Sequence, residues 1–160
     1  MYILLLLLTS LFAQPFEAYY INLDKDKDNK IAMEKMFYDM GYQANRYEAI
    51  YGKTLKKGEY QDNLSWFHSF LPKSIIGCAL SHYHVAKQHF ETHDNYALIL
   101  EDDATLKCSP NDIQDIVNQA PDDWDIILLY HFGVSNYGKG DDWNNYEHWQ
   151  VAPVTGSTAA

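Results

Sequence analysis

Tyr96-Ala97-Leu98-Ile99-Leu100-Glu101-Asp102-Asp103 is the stretch whose reading decides the fold. A short apolar run with a polar boundary reads as a buried strand. The three adjacent acids at its end repel one another unless a cation or donor groups compensate. Hard divalent ions take oxygen ligands, often one or two carboxylates with substrate phosphates completing the shell. In open α/β sheets, ligands sit at the carboxyl ends of strands. A strand ending in Glu101-Asp102-Asp103 is therefore a candidate metal–diphosphate site. The plainer reading is an acidic turn with a solvated face.

The flanking sequence supplies the other elements. Ala18 to Leu23 (AYYINL) reads as a first strand, and Asp24 to Lys30 as a charged turn. From Ile31 to Met40 the apolar residues fall at helical spacing, with Gly41 as the stop. Ala44 to Ile50 predicts a second strand, and residues 52–73 a long loop of the kind that often carries function. A second helix is expected from Ser74 to near His93, its apolar side traced by 75, 76, 79, 80, 83 and 86. Ser109-Pro110-Asn111-Asp112 is a helix start, with Ser at the N-cap and Pro in the first turn. That helix ends before Pro121. Trp124 to Tyr130 (WDIILLY) predicts a fourth strand, 131–146 a loop, and His148 to Val151 a short strand. Strands alternating with helices give an α/β class with a mostly parallel sheet flanked by helices.

The length of 160 residues suits one domain that folds without staples. A net charge of −10 argues against a nucleic-acid partner, because phosphate tracking needs clustered Lys and Arg. Thirteen tyrosines and four tryptophans offer faces for bases or sugars, although most are expected to serve core and surface.

Residues 1–17 are set apart as a signal peptide or N-terminal anchor, leaving 18–160 as the folded domain. Ile3 to Ala13 has the length of a secretory h-region and is too short to span a bilayer. The lack of a Lys or Arg before it speaks against a signal. With a signal, the chain is expected in the secretory lumen, Asn63-Leu64-Ser65 is a usable sequon, and Cys78 and Cys108 can pair. Without one, the chain is expected to be cytoplasmic or membrane-associated, with any membrane contact through that segment alone. Two separate buried thiols are the equal alternative to a disulfide. The closing Thr155-Gly156-Ser157-Thr158-Ala159-Ala160 reads as the start of another element.

Within the second helix, Gly77 allows close approach of backbone to a ligand or to the sheet; a merely tolerated helix glycine costs about 1 kcal/mol. Ser81 and His82 can donate to phosphate or sugar oxygens, while a structural role is the plainer reading. His89 and His93 share a face at zinc spacing, but no third ligand is evident. The chain has no GxGxxG, no GxxxxGK[ST] and no GxSxG, which argues against kinase, P-loop, dinucleotide and hydrolase readings.

The ordered set Ile76-Gly77-Cys78-Ala79-Leu80-Ser81-His82 followed by Ala97 to Ala104 (ALILEDDA) resembles glycosyltransferase family 25, whose members carry a GCxxSH segment about twenty residues before an EDD motif. Tyr20 to Asp24 looks like the family's opening strand. Arg46-Tyr47-Glu48-Ala49 with Gly52 is similar to its RF-x-A-x-x-G segment, and Trp124 to Leu129 to its WD strand. The resemblance spans residues 18–160. Two departures stand out. Asn29, beside Lys30, occupies the place of an expected Arg, and the C-terminal part of longer members is missing.

The resemblance implies a GT-A type fold and transfer of a hexose, galactose in the first instance, from a UDP-sugar. Acceptors implied are a glycan, a lipooligosaccharide or a hydroxylysine-bearing glycoprotein. It implies Mn²⁺ or Mg²⁺ held by Glu101 and Asp103, with Asp102 on the other side of the extended chain. Donor contacts are implied for Asn22, Asp24, Gly77, Ser81, His82 and Asp102. The catalytic base is unassigned, with Asp125, Asp141 and Asp142 as weak candidates. The alternative is a non-catalytic module that binds nucleotide sugar or glycan.

Overall fold

Strand β1 (Glu17–Asn22) is the axis of the structure, with parallel strands on either side of it. The computed structural model describes residues 14–56, 58, 71–120, 124–129, 144–146 and 149–151, the last two segments as backbone only. The sheet order is β2 (Ala44–Glu48), β1, β3 (Ala97–Glu101). Both pairings are parallel, with Tyr20 opposite Arg46 and Ile21 opposite Glu101. Helix α1 (Lys27–Met40) joins β1 to β2, and helix α2 (Lys73–Phe90) lies between β2 and β3. This is the expected α/β class.

Side-chain alternation along β1 assigns the two helices to opposite faces. Tyr19 and Ile21 pack with Val85 of α2, joined by Tyr47, Ala97 and Ile99. Tyr20 points the other way, its ring 5.7 Å from that of Phe37 and its hydroxyl donating to Glu34, both on α1. Covered on both faces, β1 is buried from Ala18 to Asn22. Met33 and Phe37 anchor α1, each such burial contributing about 1.5–3 kcal/mol. Phe16 is buried and its ring packs near those of Tyr42 and Tyr96, so the folded unit begins ahead of residue 18.

Several elements differ from expectation. Helix α1 starts at Lys27, because its polar first turn faces water and needs no apolar residue. It ends as expected at Gly41, where φ is +77° and the Gly41 and Tyr42 amides donate to the carbonyls of Tyr38 and Phe37. The buried stripe of α2 is Ile76, Gly77, Leu80, Ser81, Val85 and His89; Ile75 and Tyr83 face out. Hydropathy alone misplaces this stripe, because Ser81 and His89 are buried with their polar atoms satisfied. Strand β3 is the partly exposed neighbour of β1, with Leu98 its one buried side chain. A 3₁₀ turn, Gly52–Thr54, lies inside the expected 52–73 loop, and residues 57 and 59–70, including the sequon, fall outside the described set.

The chain divides into two compact units, Met1–Gln114 and Asp115–Ala160. Helix α3 (Pro110–Gln119) closes the first and opens the second. Its start carries the predicted cap: the Ser109 amide donates to Asp112 Oδ2 (2.7 Å) and the Asp112 amide to Ser109 Oγ (3.3 Å). In the second unit, residues 124–129 form no strand, and Ile126, Leu128 and Leu129 are exposed. An apolar run becomes a strand only where another strand supplies ladder bonds, and none of the described strands pairs with it. Strands β4 (Asn144–Tyr146) and β5 (Trp149–Val151) form an antiparallel pair; β5 was expected, whereas Asn144–Tyr146 was read as loop.

Candidate functional site

The carboxyl ends of β1, β2 and β3 converge on Asn22. The chain leaves β1 for β2 on one side and crosses the opposite face to reach β3 on the other. The strand order therefore reverses between β1 and β3, the place where open α/β sheets bind ligands. Asn22 is buried, and its side chain is fully used. Its Nδ2 donates to Asp102 Oδ2 (2.6 Å) and to the Asp26 carbonyl (3.0 Å). Its Oδ1 accepts from Arg46 Nε (2.9 Å), and Arg46 also donates to the Asn22 carbonyl (3.1 Å) and to Asp24 (2.6 Å). One buried amide thus ties all three strand ends together. Bonds to charged groups of this kind are each worth about 1.5–3 kcal/mol.

Glu101 faces the other way, toward α2, as alternation requires. His82 Nε2 lies 3.3 Å and Cys78 Sγ 3.6 Å from Glu101 Oε1. Partial loss of hydration at the sulfur, then the Glu101 charge, pushes the thiol of the exposed Cys78 above its ordinary pKa. The candidate ligand atoms of Cys78, His82 and Glu101 all lie within 4.8 Å of one another. Neither Asp102 nor Asp103 belongs to that group, since the strand ends at Glu101. Residues 102–103 form a turn, with the Ala104 amide donating to the Glu101 carbonyl. The turn, and not strand alternation, therefore sets where Asp103 stands.

Gly77 and Ser81 lock α2 to the segment after β2. A Cβ on Gly77 would sit 2.6 Å from the Ile50 carbonyl oxygen and 2.7 Å from the Gly52 nitrogen. Ser81 Oγ accepts from the Ile50 amide (2.8 Å) and donates to the Gly77 carbonyl (2.7 Å). Asn22, Gly77 and Ser81, all expected near the donor, are thus packed inside the protein. Asp24, His82, Glu101, Asp102 and Asp103 retain exposure at the strand ends. Asp125 is exposed on the irregular stretch of the second unit, and Asp141 and Asp142 lie outside the described residues.

His89 is engaged elsewhere. Its Nε2 donates to the Asn95 carbonyl (2.7 Å), which leaves Nδ1 to accept from the Tyr19 hydroxyl (3.3 Å). Both ring nitrogens are taken, and His93 stacks on the ring at 4.8 Å with its Nδ1 3.3 Å from the His89 carbonyl oxygen. Cys78 and Cys108 are free, and Cys78 is exposed rather than buried. Two open surface hollows, of about 310 and 430 Å³, are lined by other residues and include none of the strand-end group.

Arg46 was expected only as part of a motif, and Cys78 only as a disulfide partner of Cys108 or a buried thiol; neither was expected at the site. Cys78 and His82 stand four apart on a helix, a spacing that already puts them on one face. Only the sheet brings Glu101 to that face.

Residues 16–148 match the family model described as Glycosyltransferase family 25 (LPS biosynthesis protein). The chain is similar to procollagen galactosyltransferase 2 of Homo sapiens, with 28% identity over 126 residues, covering 71% of this chain and 20% of the relative. It is similar to procollagen galactosyltransferase 1-A of Xenopus laevis, with 27% identity covering 71% and 21%. A glycosyltransferase 25 family member of Drosophila melanogaster shows 29% identity over 124 residues, covering 69% and 20%. The chain spans about a fifth of the length of these curated relatives. No solved structure matches it. Among the described residues, no helix is long and apolar enough to cross a membrane.

Proposed function

The chain belongs to glycosyltransferase family 25, and from that membership we propose that it serves transfer of a hexose from a UDP-sugar to a hydroxyl acceptor. The observation that supports this reading best is the placement of Glu101, Asp102 and Asp103 at the β1/β3 reversal of strand order, with Asp102 fixed by Asn22. Galactose is the hexose proposed, because relatives are named as procollagen galactosyltransferases. The acceptor proposed is a hydroxylysine-bearing protein or a lipooligosaccharide glycan. An apolar segment at 3–13 of the kind that addresses the secretory lumen suits the first.

Glu101 and Asp103 are exposed carboxylates, oxygen donors of the type that suits Mn²⁺ or Mg²⁺. A divalent ion held by these two would act as a Lewis acid on the leaving diphosphate. Asp102, held by Asn22, keeps one oxygen for the donor's ribose. Arg46 bonds Asn22 and Asp24 and so sets where the strand ends stand. Asp24 and His82 line the rim for the donor. Asp125, Asp141 and Asp142 are the proposed sources of a base for the acceptor hydroxyl.

Calorimetric titration of UDP with Mn²⁺ into the intact chain and into Asp103→Ala tests the reading. The expected result is at least about tenfold weaker binding by the variant, as for loss of a metal ligand. Equal binding by the two proteins overturns the Asp103 assignment. Absence of UDP binding by the intact chain overturns the donor reading.

A further inference from the structure

Cys78, His82 and Glu101 present three different ligand atoms to one point between α2 and the end of β3. Their separations can be compared with a tetrahedral zinc ion. With Zn–N and Zn–O near about 2.0 Å and Zn–S near about 2.3 Å, neighbouring N and O ligands stand about 3.3 Å apart and S and O about 3.5 Å apart. Here His82 Nε2 to Glu101 Oε1 is 3.3 Å and Cys78 Sγ to Glu101 Oε1 is 3.6 Å. These two pairs have the spacing of adjacent ligands on one ion, and all three candidate atoms lie within 4.8 Å of one another. The helix supplies two of them at i and i+4, and the sheet supplies the third.

We propose that Cys78, His82 and Glu101 form a three-ligand site for a thiolate-preferring divalent ion of the zinc class, with the fourth position open to solvent. This goes beyond the donor reading. Mn²⁺ and Mg²⁺ prefer oxygen shells, whereas a thiolate and an imidazole select zinc-class ions, and the two ligand sets share Glu101 alone. Side-chain exposure of 40% at His82 and 56% at Glu101 leaves an entry path. Loading exchanges the thiol proton for the metal: Cys78–SH and Zn²⁺ give Cys78–S–Zn⁺ and a released proton. Affinity therefore rises with pH.

The test uses Co²⁺ as a spectroscopic probe, added to the full chain without nucleotide and then displaced by Zn²⁺. One equivalent is expected to give a near-ultraviolet thiolate-to-cobalt charge-transfer band that Zn²⁺ abolishes. Cys78→Ser loses the band and Cys108→Ser keeps it. His82→Ala and Glu101→Gln weaken Co²⁺ binding at least about tenfold. Cys78 is exposed and its replacement by Ser is nearly isosteric, so unchanged circular dichroism accompanies the loss. No band with the intact chain, or a band that persists in Cys78→Ser, overturns the site. UDP binding is measured separately; its failure with the cobalt band intact sinks the donor reading and leaves this site standing.

Discussion

Asn22 Nδ2 stands 2.6 Å from Asp102 Oδ2, a bond that joins the buried end of the central strand to the middle carboxylate of the acidic triplet. The register that sets Ile21 opposite Glu101 puts the next pair, Asn22 and Asp102, side by side on the face toward α1. Asn22 carries Arg46 on its other atom, so the positions of an acid and a base depend on one neutral amide.

Asn22→Ala removes the partner of both charged groups at once. A loss of about 2–3 kcal/mol is expected from urea unfolding, since partly buried charged groups lose their bonds. Combined with Asp102→Ala, the two changes should fall short of additivity by about 1–2 kcal/mol, because they delete one shared interaction. Additive losses would show that Asn22 acts independently of Asp102.

Gly77→Ala places a methyl group 2.6 Å from the Ile50 oxygen, where backbone on both sides must give way. Helix propensity alone favours the alanine by about 1 kcal/mol, but overpacking of this kind costs about 1–3 kcal/mol. Thermal unfolding should therefore show a lower midpoint. A raised midpoint would show that the α2 contact with Ile50 and Gly52 is loose.

Ser81→Ala leaves the partly buried Ile50 amide without its acceptor. Destabilisation of about 1–3 kcal/mol is expected. Hydrogen exchange at the Ile50 amide should accelerate by more than that at neighbouring strand amides. Unchanged protection at Ile50 would remove the assigned role.

Asp112 accepts from the Ser109 amide and hydroxyl at the start of α3, which holds its carboxyl below the usual range. Its folded pKa is depressed, so its contribution is present above the unfolded value and disappears as pH falls through the folded one. Asp112→Ala should lower the melting midpoint at neutral pH, and the gap should close in acid. A gap that persists below both values would mean that the carboxylate charge is not the cause.

Much of the fold was legible because local rules agree with the outcome. Gly41 closes α1 through a left-handed residue, and Ser109 with Asp112 opens α3 through a reciprocal cap. Residues 124–129 were not legible, since an apolar run specifies burial without specifying a pairing partner. The inward side of α2 was misplaced for a related reason. The burial of His89 depends on Tyr19 and on the Asn95 carbonyl, neither of which helical periodicity contains.

The acidic triplet was visible from composition and order alone: a strand that ends in Glu101-Asp102-Asp103, preceded by a helix bearing Cys78, Ser81 and His82. Sequence by itself determined the α/β alternation, the family resemblance and the residues that carry charge. Tertiary structure decided which way each side chain points and what it touches. Parallel register separates Glu101 from Asp102 onto opposite faces, bringing one to His82 and Cys78 and the other to Asn22. Those partners lie 19 to 80 residues away along the chain, so only the packed sheet and helix bring them together.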